Sequence, residues 1–90
     1  MRRARRADPN QPEIVKAFRD CGCSVEVISD LGRGVPDLLV GIRGRTFLVE
    51  VKVGREPLTP TQSAWREKWR GNYAVVTTKD EALQLCGTAP

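Results

Sequence analysis

Two carboxylates and a lysine are brought together by a predicted hairpin. Asp37 begins one apolar run, Glu50 and Lys52 lie near the end of the next, and Arg43-Gly44 separates the two runs. Two residues ending in glycine between β-rich runs are typical of a tight hairpin. In that register Asp37 lies directly opposite Glu50, with Cα atoms about 4.5–5.5 Å apart. Lys52 then lies on the same face as Glu50, because side chains alternate along a strand.

An opposed pair of carboxylates needs something that offsets its charge repulsion. A shared proton, a nearby cation or a bound metal each does so. Hard oxygen ligands at this separation suit Mg²⁺ or Mn²⁺, which also bind substrate phosphate. A lysine beside such an ion can align or deprotonate a water molecule and neutralise charge on phosphoryl oxygens. The set is typical of metal-dependent phosphodiester hydrolysis. The alternative is an ordinary salt bridge between Lys52 and Glu50 beside a turn aspartate.

Composition removes several other kinds of chemistry. The 90 residues include no histidine, which excludes histidine general acid–base chemistry, Ser-His-Asp triads and most zinc sites. No Gly-x-x-x-x-Gly-Lys-Ser/Thr stretch occurs, so we expect no nucleotide cofactor. No apolar run approaches the ~18 residues of a membrane span, so we expect no membrane partner.

The basic excess lies at the N-terminus. Beyond Arg6 the basic and acidic residues balance, so the net charge of +4 comes from four arginines. These are Arg2, Arg3, Arg5 and Arg6. Such a segment indicates either contact with nucleic acid or a solvated terminus. Arg33, in the loop before Asp37, and Arg55, just past Lys52, are further candidates for contact with a DNA backbone, and solvated loop charge is the alternative.

The cysteines indicate a reducing compartment. An odd number, Cys21, Cys23 and Cys86, argues against a disulfide framework. No apolar segment follows the N-terminal arginines, so a secretory signal is not expected. We therefore expect a cytoplasmic location and interpret the cysteines as small hydrophobic residues rather than catalytic thiols.

The spacing of apolar and turn residues predicts the order α-β-β-β-α-β-α. This describes one α/β domain over residues 9–90, behind a basic flexible arm over residues 1–8. The first helix begins at an Asn10 N-cap and ends at Gly22, and the last ends at Gly87. Because a hairpin is followed by a helical crossover to a further strand, we expect a mixed sheet flanked by helices. The predicted strands are 23–29, 37–42, 45–53 and 73–77.

Trp65 and Trp69 lie four residues apart on the second predicted helix. This spacing is typical of a core or dimer interface, and a base-stacking platform is the alternative.

Three segments together resemble a known family. GVPDLLV (34–40), FLVEVK (47–52) and LTPTQSAW (58–65) look like the VRR-NUC branch of the PD-(D/E)xK nuclease superfamily, which occurs as stand-alone phage and bacterial proteins. The resemblance implies the restriction-endonuclease-like α-β-β-β-α-β core. It also implies that Asp37, Glu50 and the Val51 carbonyl oxygen hold Mg²⁺ or Mn²⁺, and that Lys52 is the catalytic lysine.

Two further residues match the family pattern. Glu13 matches a first-helix acid that faces the site and joins the metal ligands, and Gln62 matches a second-helix glutamine. Helix capping is the alternative for both, because Asn10-x-x-Glu13 and Thr59-x-x-Gln62 have the spacing of capping boxes.

The combined expectation is a Mg²⁺- or Mn²⁺-dependent DNA endonuclease. Stand-alone members are similar to homodimeric nucleases that resolve four-way (Holliday) junctions in a bacterium or a phage-infected host cell. Paired incision of two symmetric strands by a chain with one site also predicts a two-fold dimer. The alternatives are a non-catalytic DNA-binding module on the same fold, and a nuclease of the same superfamily that acts on flaps or single strands.

Overall fold

The secondary structure has the predicted order, with one additional short turn of helix. A computed structural model describes residues 8–88. Its elements are α1 Gln11–Asp20, β1 Ser24–Val27, a 3₁₀ turn Ser29–Leu31, β2 Leu38–Ile42, β3 Arg45–Val51, α2 Pro60–Lys68, β4 Asn72–Val76 and α3 Lys79–Thr88. The α/β class and the α-β-β-β-α-β-α order are confirmed.

The four strands form one mixed sheet in the order β1-β2-β3-β4. The pairs β1–β2 and β2–β3 are antiparallel, whereas β3 and β4 are parallel and are connected through α2. The predicted hairpin register is confirmed, because Ile42 pairs with Arg45 and Leu38 pairs with Val49. Arg43 and Gly44 have φ values of 46° and 84°, and two positive values in succession are typical of a type I′ turn.

One face of the sheet carries the hydrophobic core. The apolar stripe of α1 packs here together with α3, and Ile14 and Phe18 are fully buried. The strands contribute Val25, Leu38, Val40, Ile42, Val49, Val51 and Val76. Because side chains alternate along a strand, Leu48 and Glu50 of β3 point to the opposite face. We call this opposite face the α2 face, since Gln62 of α2 contacts Glu50 there.

Several predicted boundaries were wrong. The first strand is shorter than residues 23–29, because Ser29 begins the 3₁₀ turn. The last helix continues through Gly87 to Thr88. Asn10 stands at the N-cap position of α1, but its side chain makes no cap hydrogen bond. The predicted basic arm covers residues 1–8, and residues 1–7 lie outside the described part of the chain. Over residues 8–88, the helices are too short or too polar to cross a membrane.

Candidate active site

Asp37 lies at the point where β2 begins, and its carboxylate is held by the neighbouring strand. Its amide N donates to the Val49 carbonyl at 3.1 Å, and its Oδ2 accepts from the Val51 amide at 2.8 Å. The side chain thus occupies the place where the ladder would otherwise continue. The ladder between β2 and β3 ends at the Leu38–Val49 pair, one residue short of the predicted Asp37–Glu50 pair. Pro36 explains this end, since proline has no N–H to donate to a ladder.

Glu50 is almost completely buried on the α2 face. The exposed fraction is 1% for Glu50 and 4% for Asp37. The Oε2 atom of Glu50 accepts a hydrogen bond from Gln62 Nε2 at 3.2 Å. A buried carboxylate is costly unless it is hydrogen-bonded or bound to a cation. Gln62 provides part of the hydrogen bonding and fixes the orientation of the carboxylate.

Gln62 performs both of the roles that its sequence position left open. Its Oε1 accepts from the Thr59 amide at 2.9 Å, and the Gln62 amide donates to Thr59 Oγ1 at 3.1 Å. This is a complete capping box at the start of α2. The side-chain nitrogen remains available for Glu50, so one residue both begins the helix and contacts the site.

The backbone of Val51 adds a further oxygen on the Asp37 side. The N–H and C=O of one residue in an antiparallel strand point toward the same neighbouring strand. Since the Val51 N–H points at Asp37, its carbonyl oxygen lies on that edge as well. Two carboxylates and a main-chain oxygen form a hard, all-oxygen donor set, and this chemistry fits Mg²⁺ or Mn²⁺.

Lys52 is 5% exposed. It directly follows β3 and continues the parallel pairing of that strand with β4. Its amide donates to the Val76 carbonyl at 3.1 Å. Its own carbonyl accepts from Asn10 Nδ2 at 2.9 Å, and the same Nδ2 donates to the Thr77 carbonyl at 2.7 Å. Asn10 therefore ties the ends of β3 and β4 to the start of α1 and fixes the main chain of Lys52. The sequence interpretation identified Asn10 only as a cap.

Tyr73 was also missed. It pairs with Leu48 in the parallel ladder, which places its side chain on the α2 face. Burial raises the pKa of Tyr73, the negative charge of Glu50 raises this pKa further, Arg66 lowers it, and Asp37 adds a smaller upward effect. The hydroxyl therefore stays protonated and lies within the electrostatic field of the two carboxylates. Its position in the strand gave no signal, because an alternating aromatic residue is typical of any half-buried strand.

A second buried polar side chain supports Asp37 from the other side. Gln11, at the start of α1, is buried, and its Nε2 donates to Ser29 Oγ at 3.4 Å. Ser29 Oγ in turn donates to the Asp37 carbonyl at 3.5 Å. The Asp37 carbonyl also accepts from the Ile28 amide at 2.8 Å. The main chain of Asp37 is thus held from two directions.

The metal-ligand role of Glu13 stays a prediction, and the structure shows where this residue lies. It is exposed on α1 and lines a groove between α1 and α3 with Lys16, Asp20 and Lys79. The Asn10–Glu13 capping box is absent too, since the Asn10 side chain is directed to β3 and β4. Within residues 8–88, no group of three acidic, cysteine or histidine side chains is placed to hold a metal. Asp37, Glu50 and the Val51 carbonyl oxygen are the candidate metal ligands that the geometry of β2 and β3 supports best.

The predicted DNA-contacting arginines divide into two groups. Arg33 and Arg55 are exposed, in the loop that enters Asp37 and in the turn that follows Lys52. Both therefore flank the two carboxylates in sequence, and their side chains are accessible to a ligand. Arg2, Arg3, Arg5 and Arg6 lie outside the described residues.

Comparison with known proteins agrees with this fold. One solved structure, described as a VRR_NUC domain, is similar over 92% of this chain and 100% of its own, with 29% sequence identity and a TM-score of 0.73. No family model matches the chain, and no curated protein matches it.

This structural similarity supports a nuclease-family domain. The resemblance to VRR-NUC domains carried by the three sequence segments is confirmed by this structural similarity.

Proposed function

We propose that this protein is a metal-dependent DNA endonuclease. The observation that carries the proposal is the burial of two carboxylates and a lysine where β2 begins and β3 ends. Asp37, Glu50 and Lys52 are each at most 5% exposed, and the similar solved structure is described as a VRR_NUC domain. Burying three ionisable groups together costs free energy that a purely structural cluster of apolar residues would avoid.

Each side chain has a distinct task in this proposal. Asp37, Glu50 and the Val51 carbonyl oxygen would hold Mg²⁺ or Mn²⁺, which when bound supplies Lewis-acid polarisation of a phosphoryl oxygen. Lys52 aligns the attacking water in line with the leaving oxygen and neutralises the charge that develops on the phosphate. Gln62 keeps the Glu50 carboxylate in one orientation, and Asn10 holds the main chain of Lys52.

The proposed substrate is branched DNA, most specifically a four-way junction cut by a homodimer. The described residues 8–88 contain little structure besides the site for reading a base sequence, which favours recognition of DNA shape. One site in each chain and two symmetric strands in a junction require two copies for paired incision. Exposed Arg33 and Arg55 flank the site and are suited to contact phosphates.

A non-catalytic DNA-binding module on the same fold is the second candidate. It would need DNA affinity from the basic residues but would not need Glu50 and Lys52 in buried positions. The third candidate is a nuclease of the same superfamily that acts on flaps or single strands. It differs from the first candidate only in the DNA shape that it prefers.

Cleavage of labelled DNA tests all three. A four-way junction, a flap, a single strand and a plain duplex are incubated with Mg²⁺, Mn²⁺ or EDTA. The variant is Lys52→Ala, and the matched control is Lys16→Ala, because Lys16 is exposed and pairs only with Asp20 on the surface of α1. Metal-dependent cutting that is lost in Lys52→Ala and kept in Lys16→Ala supports the nuclease. Binding without cutting under any metal supports the non-catalytic module.

A further inference from the structure

An aromatic cluster lies beside the carboxylates and is not used by the proposed chemistry. Trp65 and Trp69 of α2 stack with ring centroids 5.1 Å apart and planes 21° apart. Tyr73 of β4 is 6.5 Å from Trp65, and the Arg66 guanidinium lies 4.8 Å above the Tyr73 ring. Trp69 is 39% exposed, which is a large aromatic surface to leave in water.

The exposed ring is held in place by its surroundings. Trp69 Nε1 donates to the Asn72 carbonyl at 3.1 Å. Gly71 lies directly against the same ring, and a Cβ at this position would come within 2.8 Å of it. The close approach therefore requires glycine at residue 71. A fixed ring loses little conformational freedom on binding, so it is suited to act as a binding surface.

The cluster is also continuous with the candidate active site. Trp65 lies three residues after Gln62 on α2, so the two are neighbours on the helix surface. Tyr73 lies on the α2 face with Glu50, and the carboxylates of Glu50 and Asp37 both act on its hydroxyl. The aromatic rings and Glu50 therefore lie on the same face of the sheet, with Gln62 between Glu50 and Trp65.

The charges around the rings favour an anionic partner. Arg66, Lys68 and Arg70 are exposed at the end of α2, and Glu67 is the acidic residue among them. Aromatic rings flanked by cations are typical of surfaces that stack nucleobases while basic groups contact the phosphates. A protein partner with an apolar surface would gain no binding energy from these basic side chains.

We propose that the Trp65–Trp69 stack binds an unpaired nucleobase of the DNA substrate, next to the phosphodiester that is cut. The proposal rests on the proposed nuclease function and narrows its substrate to DNA that exposes a base near the cut, as at a branch point, a flap or a single-stranded segment. Stacking of a single base contributes about 1–3 kcal/mol.

Tryptophan fluorescence tests the platform without a label, because the chain has two tryptophans and both belong to the stack. The Lys52→Ala variant, which leaves the DNA uncut, is titrated in Mg²⁺ with a short single strand and with an abasic strand of equal length and charge. We expect quenching by the strand with bases and much weaker quenching by the abasic strand. Equal quenching by both would overturn the platform.

A glycine substitution gives a second test that leaves both tryptophans in place. Gly71→Ala in the Lys52→Ala background displaces the Trp69 ring, and affinity for the single strand should fall by about 5- to 150-fold, which corresponds to the loss of one stacked base. Gly87→Ala is the matched control, since a Cβ there meets no atom within 4 Å. Unchanged affinity in Gly71→Ala contradicts the proposal.

Two parallel measurements separate the remaining outcomes. If Trp69→Ala converts a dimer to a monomer in sedimentation without changing affinity per site, a second copy of the chain covers this face and the proposal is overturned. Cleavage is measured with Lys52 intact. Cutting without base-dependent quenching rejects the platform alone, whereas base-dependent quenching without cutting rejects the nuclease and leaves the binding of bases supported.

Discussion

The two faces of the sheet differ in the chemistry of their buried side chains, which are apolar on the core face and ionisable on the α2 face. On the core face, α1 and α3 cover an almost wholly apolar set of strand residues, and Ile14 and Phe18 are fully buried. On the α2 face, Gln62 of α2 contacts the buried carboxylate of Glu50, and the strand residues Leu39 and Val75 remain exposed. The comparison shows that β3 serves both purposes, since Val49 and Val51 stabilise the fold and Glu50 between them belongs to the site. Substitutions on the first face should therefore change stability, and those on the second should change activity.

The largest effect on stability is expected from the core face. Phe18→Ala should lower the free energy of unfolding by about 3–5 kcal/mol, because it removes a fully buried aromatic ring and leaves a cavity. Chemical denaturation measures this loss. A cost below about 1 kcal/mol would show that α1 does not pack as described.

The largest effect on activity is expected from Asp37→Asn. Cleavage should fall by at least ~100-fold, because a neutral amide neither holds a divalent ion nor balances its charge. The amide oxygen still accepts from the Val51 N–H, so the melting temperature should stay within a few degrees of wild type. Unchanged cutting would contradict the assignment of Asp37, and an unfolded variant would show that the carboxylate is structural.

The next comparison separates the two roles of Gln62. Thr59→Ala removes the cap of α2 and should cost about 1 kcal/mol of stability with little change in cutting. Gln62→Ala removes the reciprocal half of the same cap and also the contact to Glu50, so the rate of cutting should fall as well. Stability and rate are measured on both variants. Equal rates would show that Gln62 acts only as a cap.

The smallest effect concerns pH and lies on the core side. Burial, together with the hydrogen bond between Cys86 and Cys23, raises the pKa of Cys86 to about 12, whereas the thiol of an unfolded chain ionises near ~8.5. The unfolded state therefore loses its proton first, and stability should fall as pH rises from about 8.5 toward 12. Melting temperatures between pH 8 and pH 10.5 should show a shallower decline in Cys86→Ala, and identical slopes would contradict the buried thiol.

Much of this architecture follows from local sequence signals. The Arg43-Gly44 turn defines the hairpin register because few residue pairs tolerate two positive φ values. The Thr59-Pro60-Thr61-Gln62 start of α2 is equally local, since the capping box involves contacts three residues apart. From the register and alternation alone, Glu50 and Lys52 were assigned to one face with Asp37 close by.

The contacts that were not predicted join residues far apart in the chain. Asn10 bonds to Lys52 and Thr77, 42 and 67 residues away, and nothing near Asn10 distinguishes this from an ordinary cap. The role of Glu13 stays a prediction: its spacing matches the family pattern, and in the structure it is exposed and lines a groove with residues of α1 and α3. Tyr73 became relevant only once β4 was known to pair in parallel with β3.

The central claim is that the buried carboxylate pair is a metal-dependent nuclease site. It is tested most directly by the cleavage rate of a labelled four-way junction with wild type and Glu50→Gln, in Mn²⁺, in EDTA, and after Mn²⁺ is restored. We predict that wild type cuts only with the metal present and recovers when it is restored, and that Glu50→Gln is folded and inactive. Cutting by wild type in EDTA, or undiminished cutting by Glu50→Gln, would contradict the account.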